Sequence, residues 1–423
     1  MSSGGSDNQV CPPSWADDRF MQEVLRKGEN DPTIILKDVH FKKKNTNEEG
    51  FASEMFFFSL NFTREKRDHK IDDPRTAIES RSILLKNLPV GGKHQDYVCV
   101  SSSFPREMTM YSSIFPRLYK LLEKASGGTY QPFSPKFYVC QEQPVRALVL
   151  EDMSTEGYKL HPFHGFDLDH CKLILKKLAH FHGASAVLYE QDPTSMDTYS
   201  ECLFTEDDLA REHWSEMFSG MARALAAAMR TWPEFDKGDA DRLDRFADTL
   251  IDNLEKILKR DEKDFNVLNH GDLWVKNILF KYESGTGKPL DLRIIDFQNA
   301  HFSSPNVDLQ YFLAVSPNDE VRFNHRALVI EEYHKELCWV LEHLGYSKKV
   351  PTLAELNDEL DRKSWHGLFA AVTDLQILLS ENFEFDSMRQ DELQAKKEET
   401  HFSQSYRRIM HRLLPMYKEK GVL

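Results

Sequence analysis

Between positions 267 and 297 short apolar runs alternate with polar loops. Val267-Leu268 is followed by Asn269-His270-Gly271-Asp272. Ile278-Leu279-Phe280 and residues 292–295 are two further apolar runs, with Glu-Ser-Gly-Thr-Gly at 283–287 between them. That segment is a strong turn signal. The pattern predicts an antiparallel hairpin, which brings the far ends of its two strands together. Upstream, strands are expected at 34–41, 50–62, 80–85, 137–140 and 147–150. A helix is expected at 17–27, with Phe20, Val24 and Leu25 on one side. A second begins near Glu107, where Met110, Tyr111, Ile114 and Phe115 give an apolar face. From Asp167 the texture becomes helical, with Leu173, Ile174, Leu178, Phe181, Ser185 and Leu188 at helical spacing and Asp167 or Asp169 as N-cap. One or two helices are expected over 205–260, broken near Pro233 and Gly238. Amphipathic helices follow at 318–345, 353–379 and 403–420.

Candidate chemistry falls on the predicted hairpin and the loop before it. Asn277 stands five residues after Asp272, just ahead of one strand, and Asp296 closes the next. In a hairpin these two positions face one cation. A carboxylate and an amide oxygen are hard ligands suited to magnesium, which keeps waters and takes its remaining ligands from nucleotide phosphates. A separate aspartate in the preceding loop can orient a substrate hydroxyl and accept its proton. Any one polar loop residue is ordinarily just solvated. Three in this order, each beside a short apolar strand, point to phosphoryl transfer. His180 and His182 stand two apart on a predicted helix and so share no face for a metal. They read as core-packed or polar-paired histidines.

Composition narrows the partners. The 423 residues carry 54 Lys+Arg against 68 Asp+Glu, a formal charge of −14. Such a chain has no general attraction for nucleic acid or an anionic membrane. The Lys42-Lys43-Lys44 run reads as a loop face. The six cysteines are scattered without a CxxC spacing, which fits reduced thiols in the cytoplasm. No apolar run approaches the ~18 residues of a membrane helix, and the first residues lack an apolar signal core. Nothing forms a sustained heptad seam, so a monomer is expected.

The run His-Gly-Asp-Leu-Trp-Val-x-Asn, followed by a strand ending Ile-Asp-Phe-Gln, resembles the kinase-like phosphotransferases. These include choline kinases, aminoglycoside phosphotransferases and, above all, the ecdysteroid kinase-like (CHK-type) family of insects and other arthropods. Protein kinases carry Arg between the His and Asp and Gly after Asp-Phe; here those places hold Gly271 and Gln298. The resemblance covers roughly residue 50 to the C-terminus. It implies a bilobal α/β (α+β) protein-kinase-like fold, with a small antiparallel-sheet N-lobe and a large helical C-lobe. The expected division is a disordered tail 1–14, an N-lobe 15–153 and a C-lobe 154–423.

The resemblance also implies roles. Asp272 is the catalytic base, and Asn277 and Asp296 are magnesium ligands. Lys86 holds the ATP phosphates, with Glu107 as its partner; Pro89, Phe104 and Tyr111 match the same family pattern around them. Ser53 is a phosphate contact beside a degenerate loop that keeps only Gly50. Glu151 and Met153 lie at the adenine-reading hinge. His270 supports the catalytic loop and Asp308 braces it. Trp274, Phe302, Trp365 and Phe369 are candidate apolar contacts for a bulky acceptor. The expected activity is transfer of the γ-phosphoryl of ATP to a hydroxyl of a small lipophilic molecule such as an ecdysteroid or other steroid or xenobiotic alcohol. The alternatives are a catalytically silent nucleotide- or ligand-binding protein and a choline- or ethanolamine-type kinase.

Overall fold

The computed structural model describes residues 11–42, 53–65, 77–88, 101–380 and 402–423. Residues 1–10 of the expected tail, Lys43, Lys44, Gly50 and Pro89 lie outside the described residues. The fold is mixed α/β, with a small antiparallel sheet in one compact unit and a larger helical part in the other. The units are Met1–Val100 with Ser134–Gly157, and Ser101–Phe133 with Tyr158–Leu423.

The smaller unit is built on a five-stranded antiparallel sheet. Its strands are β1 (Ile35–Lys42), β2 (Glu54–Thr63), β3 (Glu79–Asn87), β4 (Phe137–Gln141) and β5 (Ala147–Glu151), in the order β1-β2-β3-β5-β4. Strand side chains alternate between faces. Phe56, Phe58, Leu60 and Phe62 of β2 therefore point one way, with Ile83 and Leu85 of β3. They bury Met21, Val24 and Leu25 of helix Asp18–Gly28. Asp17 caps that helix by accepting from the Phe20 N–H at 2.8 Å. Lys86 follows Leu85 and so takes the opposite face of β3, in register with Met55 and Leu148.

The larger unit forms around helix Leu168–Gln191, which is apolar on most sides and accordingly buried along most of its length. Asp167 is its N-cap, accepting from the His170 N–H at 3.1 Å. Two small sheets accompany it. One pairs β6 (Lys159–Leu160) with β8 (Ile278–Tyr282) and β9 (Pro289–Ile294). The other pairs β7 (Val267–Asn269) with β10 (His301–Ser303).

The expected division put residues 101–133 in the first lobe, whereas they group with the larger unit. Aromatic packing supplies the reason. Phe115, on the helical stretch from Ser103 to Ala125, sits 4.8 Å from the Phe297 ring and 6.3 Å from that of Phe181. Within that stretch Met110–Ile114 is wound as a π-helix. Pro116 explains the local widening, since it lacks the N–H that would bond back to Ser112 and its ring crowds that carbonyl.

The 205–260 region holds three helices, Asp208–Met229, Lys237–Asp248 and Leu250–Leu258, and the break after Asp248 was not expected. The single helix expected at 318–345 is divided at His325, and that at 353–379 is divided at Lys363 and Thr373. No helix among the described residues is long and apolar enough to cross a membrane.

Candidate active site

Strand β7 ends at Asn269 and releases a loop whose conformation is fixed from three sides. His270 is fully buried, and burial pushes its imidazole below the usual pKa and keeps it neutral. The Asp272 N–H donates to His270 Nδ1 at 3.1 Å, which leaves the ring proton on Nε2. That proton is donated to the Ile295 carbonyl at 3.0 Å. His270 thus fastens the Asp272 loop to the residue before Asp296.

Gly271 takes a left-handed conformation at φ +82°. A Cβ there would lie 2.1 Å from the Asn299 carbonyl oxygen, so only glycine lets the loop approach the segment after Asp296.

Asp308 braces the loop from below, on helix Asn306–Val315. Its buried carboxylate accepts from the His270 N–H at 2.7 Å, the Gly271 N–H at 2.9 Å and His182 Nε2 at 3.1 Å. Burial works to raise its pKa, but the His182 hydrogen bond, the nearby imidazoles and the Gly271 N–H outweigh it and hold the carboxyl below its ordinary value. His182 Nδ1 in turn accepts from the Tyr333 hydroxyl at 2.7 Å.

Asp272 is half-buried at the loop tip. Oδ1 accepts from the Tyr311 hydroxyl at 2.6 Å and Oδ2 from Asn277 Nδ2 at 3.0 Å. Burial first, and then the charge of Asp374, push its pKa up to about 8, while the bonds from Tyr311 and Asn277 oppose the rise. The Asn277 amide nitrogen also donates to the Asp272 carbonyl at 2.9 Å. Its two contacts to Asp272 both use the nitrogen, so the oxygen is the atom that could hold a metal.

The hairpin forms as the turn signal predicts. Ile278 pairs with Ile294, and the Ile295 N–H donates to the Asn277 carbonyl at 3.0 Å. Asn277 and Asp296 therefore flank the open end of β8 and β9. Asp296 adopts φ 67°, ψ 64°. A non-glycine residue there stores strain, of the kind found at functional sites. Its neighbour Phe297 is fully buried, with ring centroids 4.6 Å from His270, 4.8 Å from Phe115 and 6.1 Å from Tyr111. Phe297 thereby anchors the Asp296 turn to the helical stretch that carries buried Glu107.

The other expected residues lie as follows. In the smaller unit, Lys86 is buried on β3, Ser53 is buried just before β2, and Glu151 ends β5. Met153 is buried two residues on, after the Asp152 N–H returns to the Ser82 carbonyl at 3.0 Å. Glu151 also borders an open polar recess of about 590 Å³ with Lys42, Ser59, Ser82 and Thr155.

In the larger unit, Trp274 is half-buried two residues after Asp272, with Lys276 Nζ 5.0 Å from its ring centre. Phe302 is buried on β10 against Tyr189, and Trp365 is buried between Phe246 and Phe369, itself buried. None of these last three presents an open ring face.

A family model described as the ecdysteroid kinase-like family matches residues 47–346. The chain belongs to the ecdysteroid kinase-like family. It is thereby a small-molecule phosphotransferase acting on hydroxyl groups. No curated protein matches the chain.

Among solved structures, this ecdysteroid kinase-like protein is similar to the GDP complex of aminoglycoside 2'-phosphotransferase-IIIa, at 13% identity and TM-score 0.38, covering 95% of this chain and 98% of that one. A choline kinase from Streptococcus pneumoniae matches at 11% identity and TM-score 0.33, covering 94% and 99%. An amicoumacin kinase in complex with AMP-PNP, Ca2+ and amicoumacin matches at 13% identity and TM-score 0.35, covering 94% and 95%. These likenesses are loose, and membership rests on the sequence match.

Sequence reasoning missed two residues of this kinase-like site, Tyr311 and Asp374. Tyr311 stands three positions after Asp308, and i, i+3 neighbours share a helix face. That spacing was an available signal. Asp374 had a weaker one, as a lone carboxylate in the run Ala370-Ala371-Val372-Thr373-Asp374-Leu375.

Proposed function

We propose that the protein transfers the γ-phosphoryl group of ATP, as its magnesium complex, to a hydroxyl of a small lipophilic acceptor, with ecdysteroid-like steroid alcohols as the leading class. One observation carries the reading. The Asp272 carboxylate is held by Tyr311 and Asn277, on a loop that His270 fastens beside Asp296. A base, an amide oxygen and a second carboxylate then converge on one spot, in a chain of this family.

The donor set suits magnesium. Asn277 and Asp296 offer hard oxygen ligands and stand side by side at the end of the hairpin. Among the described residues no cluster of three or more His, Cys, Asp or Glu side chains could cage a metal by itself. An ion that arrives with nucleotide phosphates and keeps its waters needs no such cage. When bound, it neutralises charge that develops on the transferring phosphoryl group.

Asp272 orients the acceptor hydroxyl and takes its proton as the oxygen attacks. Lys86 holds phosphates of the nucleotide, and Ser53 adds a phosphate contact. The backbone at Glu151 and Met153 reads adenine. Trp274, beside the base and partly open, gives a bulky acceptor an apolar surface.

The test is magnesium-ATP turnover with ecdysteroids, other steroid and plant-derived alcohols, choline and aminoglycosides, with Asp272→Asn in parallel. Turnover of a steroid alcohol is expected, falling by about 10²–10⁴-fold in the variant. Turnover that survives in Asp272→Asn refutes the mechanism. Turnover of choline alone moves the acceptor class to quaternary amines.

A further inference from the structure

The Asp272 loop also carries a tryptophan and a lysine, and their side chains meet. Backbone bonds fold the loop tightly. The Trp274 N–H donates to the Asp272 carbonyl at 3.1 Å, and the Asn277 N–H to the Trp274 carbonyl at 3.0 Å. Cα atoms two residues apart span at most about 7 Å, so the indole starts beside the base. Val275–Asn277 then form a single 3-10 turn. Three residues per turn send successive side chains about 120° apart. Val275 and Asn277 turn inward and are buried, while Lys276 is exposed. Its ammonium lies 5.0 Å from the centre of the Trp274 ring.

Both side chains stand out by their surroundings. Every other tryptophan packs against an aromatic neighbour, as Trp15 does with Phe20 and Trp339 with His180. Among the described residues Trp274 has no such neighbour, and its half-buried ring meets the Lys276 ammonium instead. Lys276 makes no hydrogen bond or ion pair among the described residues. A cationic ligand is held by an aromatic face when its charge sits within about 6 Å of the ring centre. On Trp274 that place is taken by a cation of the protein itself. A positively charged alcohol approaching the base must displace Lys276 or lie against it, like charge against like. The Asp272 carboxylate alone would draw such an alcohol in, and Lys276 offsets that pull.

We propose that Lys276 is a specificity-determining residue of the acceptor site: seated on Trp274, it turns away positively charged alcohols and favours uncharged or anionic ones. Its methylene stem and the indole together give such an acceptor an apolar surface. This rests on the reading above, in which the acceptor hydroxyl meets Asp272. It goes beyond that reading by separating steroid-like acceptors from choline and aminoglycosides on charge.

The experiment uses choline and neohexyl alcohol, its uncharged carbon isostere, a pair that differs in charge and hardly in shape. Binding to the full chain is followed by ligand-observed NMR titration, and kcat/KM is measured with magnesium-ATP. Wild type favours the neutral alcohol by about tenfold or more, and Lys276→Met lowers that ratio by at least about tenfold by admitting choline to the freed ring. Lys276→Arg keeps the discrimination. In the double variant Trp274→Leu/Lys276→Met the gain in choline binding is lost, because no aromatic face remains for it.

A wild type that binds choline as tightly as its isostere overturns the proposal. So does an unchanged ratio in Lys276→Met, a choline gain that survives loss of the indole, or a Lys276→Met protein that binds neither alcohol. Asp272→Asn runs alongside. If it is inactive while the ratio ignores Lys276, the base assignment stands and this proposal alone fails. If it is active, the base assignment fails and this proposal falls with it.

Discussion

Replacing Asp308 by alanine tests whether the catalytic loop is rigid because a single carboxylate holds it. The side chain is fully buried and accepts from two backbone N–H groups and one imidazole N–H, at 2.7, 2.9 and 3.1 Å. Alanine leaves all three donors without an acceptor. A buried donor left unsatisfied costs about 1–3 kcal/mol, so the simple sum is about 3–9 kcal/mol. Water entering the space of the lost carboxylate recovers part of it. The expected destabilisation is therefore about 3–5 kcal/mol, a large share of the roughly 5–15 kcal/mol that holds a native protein together.

Two of the three donors belong to His270 and Gly271, so the damage is also local. The loop should lose its fixed geometry, and turnover should fall by about 10²-fold or more in the molecules that remain folded. Asp308→Asn keeps one acceptor oxygen but turns an NH2 toward a donor, so it should fall between wild type and alanine. Urea denaturation gives the stability change, and hydrogen exchange at the His270 and Gly271 amides gives the local effect. A stability change below about 1 kcal/mol, with both amides still protected, would refute the claim that this carboxylate holds the loop.

Other perturbations read different parts of the same frame. Gly271→Ala forces a Cβ toward the Asn299 carbonyl oxygen at an unfavourable φ; a loss of about 1–3 kcal/mol in denaturant titration and a collapse of kcat are expected. Phe297→Ala empties a fully buried aromatic site and should cost about 3–5 kcal/mol, seen as a lower urea midpoint. Asp296→Asn keeps a residue that tolerates the left-handed conformation, so thermal stability should hold while magnesium-dependent turnover disappears. Glu29 has burial opposing it, but Lys136 at 2.8 Å and Arg81 at 3.1 Å pull its carboxyl down to about 2. Its contribution is full above the ordinary carboxylate pKa of 4.5 and lost as pH falls toward 2. Acid titration of unfolding should show that loss in wild type and not in Glu29→Gln.

What could be read from the sequence was what local spacing encodes. The two glycines of the 283–287 turn, Gly285 and Gly287, both take positive φ, and the hairpin they close puts Asn277 next to the strand that leads into Asp296. That geometry follows from about thirty consecutive residues. β10 gave no such signal, because three residues are too few for a period and its partner β7 lies more than thirty positions upstream. The break after Asp248 was equally silent, since neither proline nor glycine marks Thr249, whereas Pro233 and Gly238 marked the gap before it. Other residues that immobilise Asp272 and its loop were hidden for a third reason. His182 and Tyr311 come from separate helices, and each looks like ordinary core composition within its own helix. Their meaning lies in which hydroxyl or imidazole meets which carboxylate, and helix packing decides that over separations of up to 126 residues. Local sequence therefore exposes the loop and hairpin residues proposed to act on substrate, and the family resemblance adds His270 and Asp308 as their supports, while the partners His182 and Tyr311 emerge only once the helices are packed.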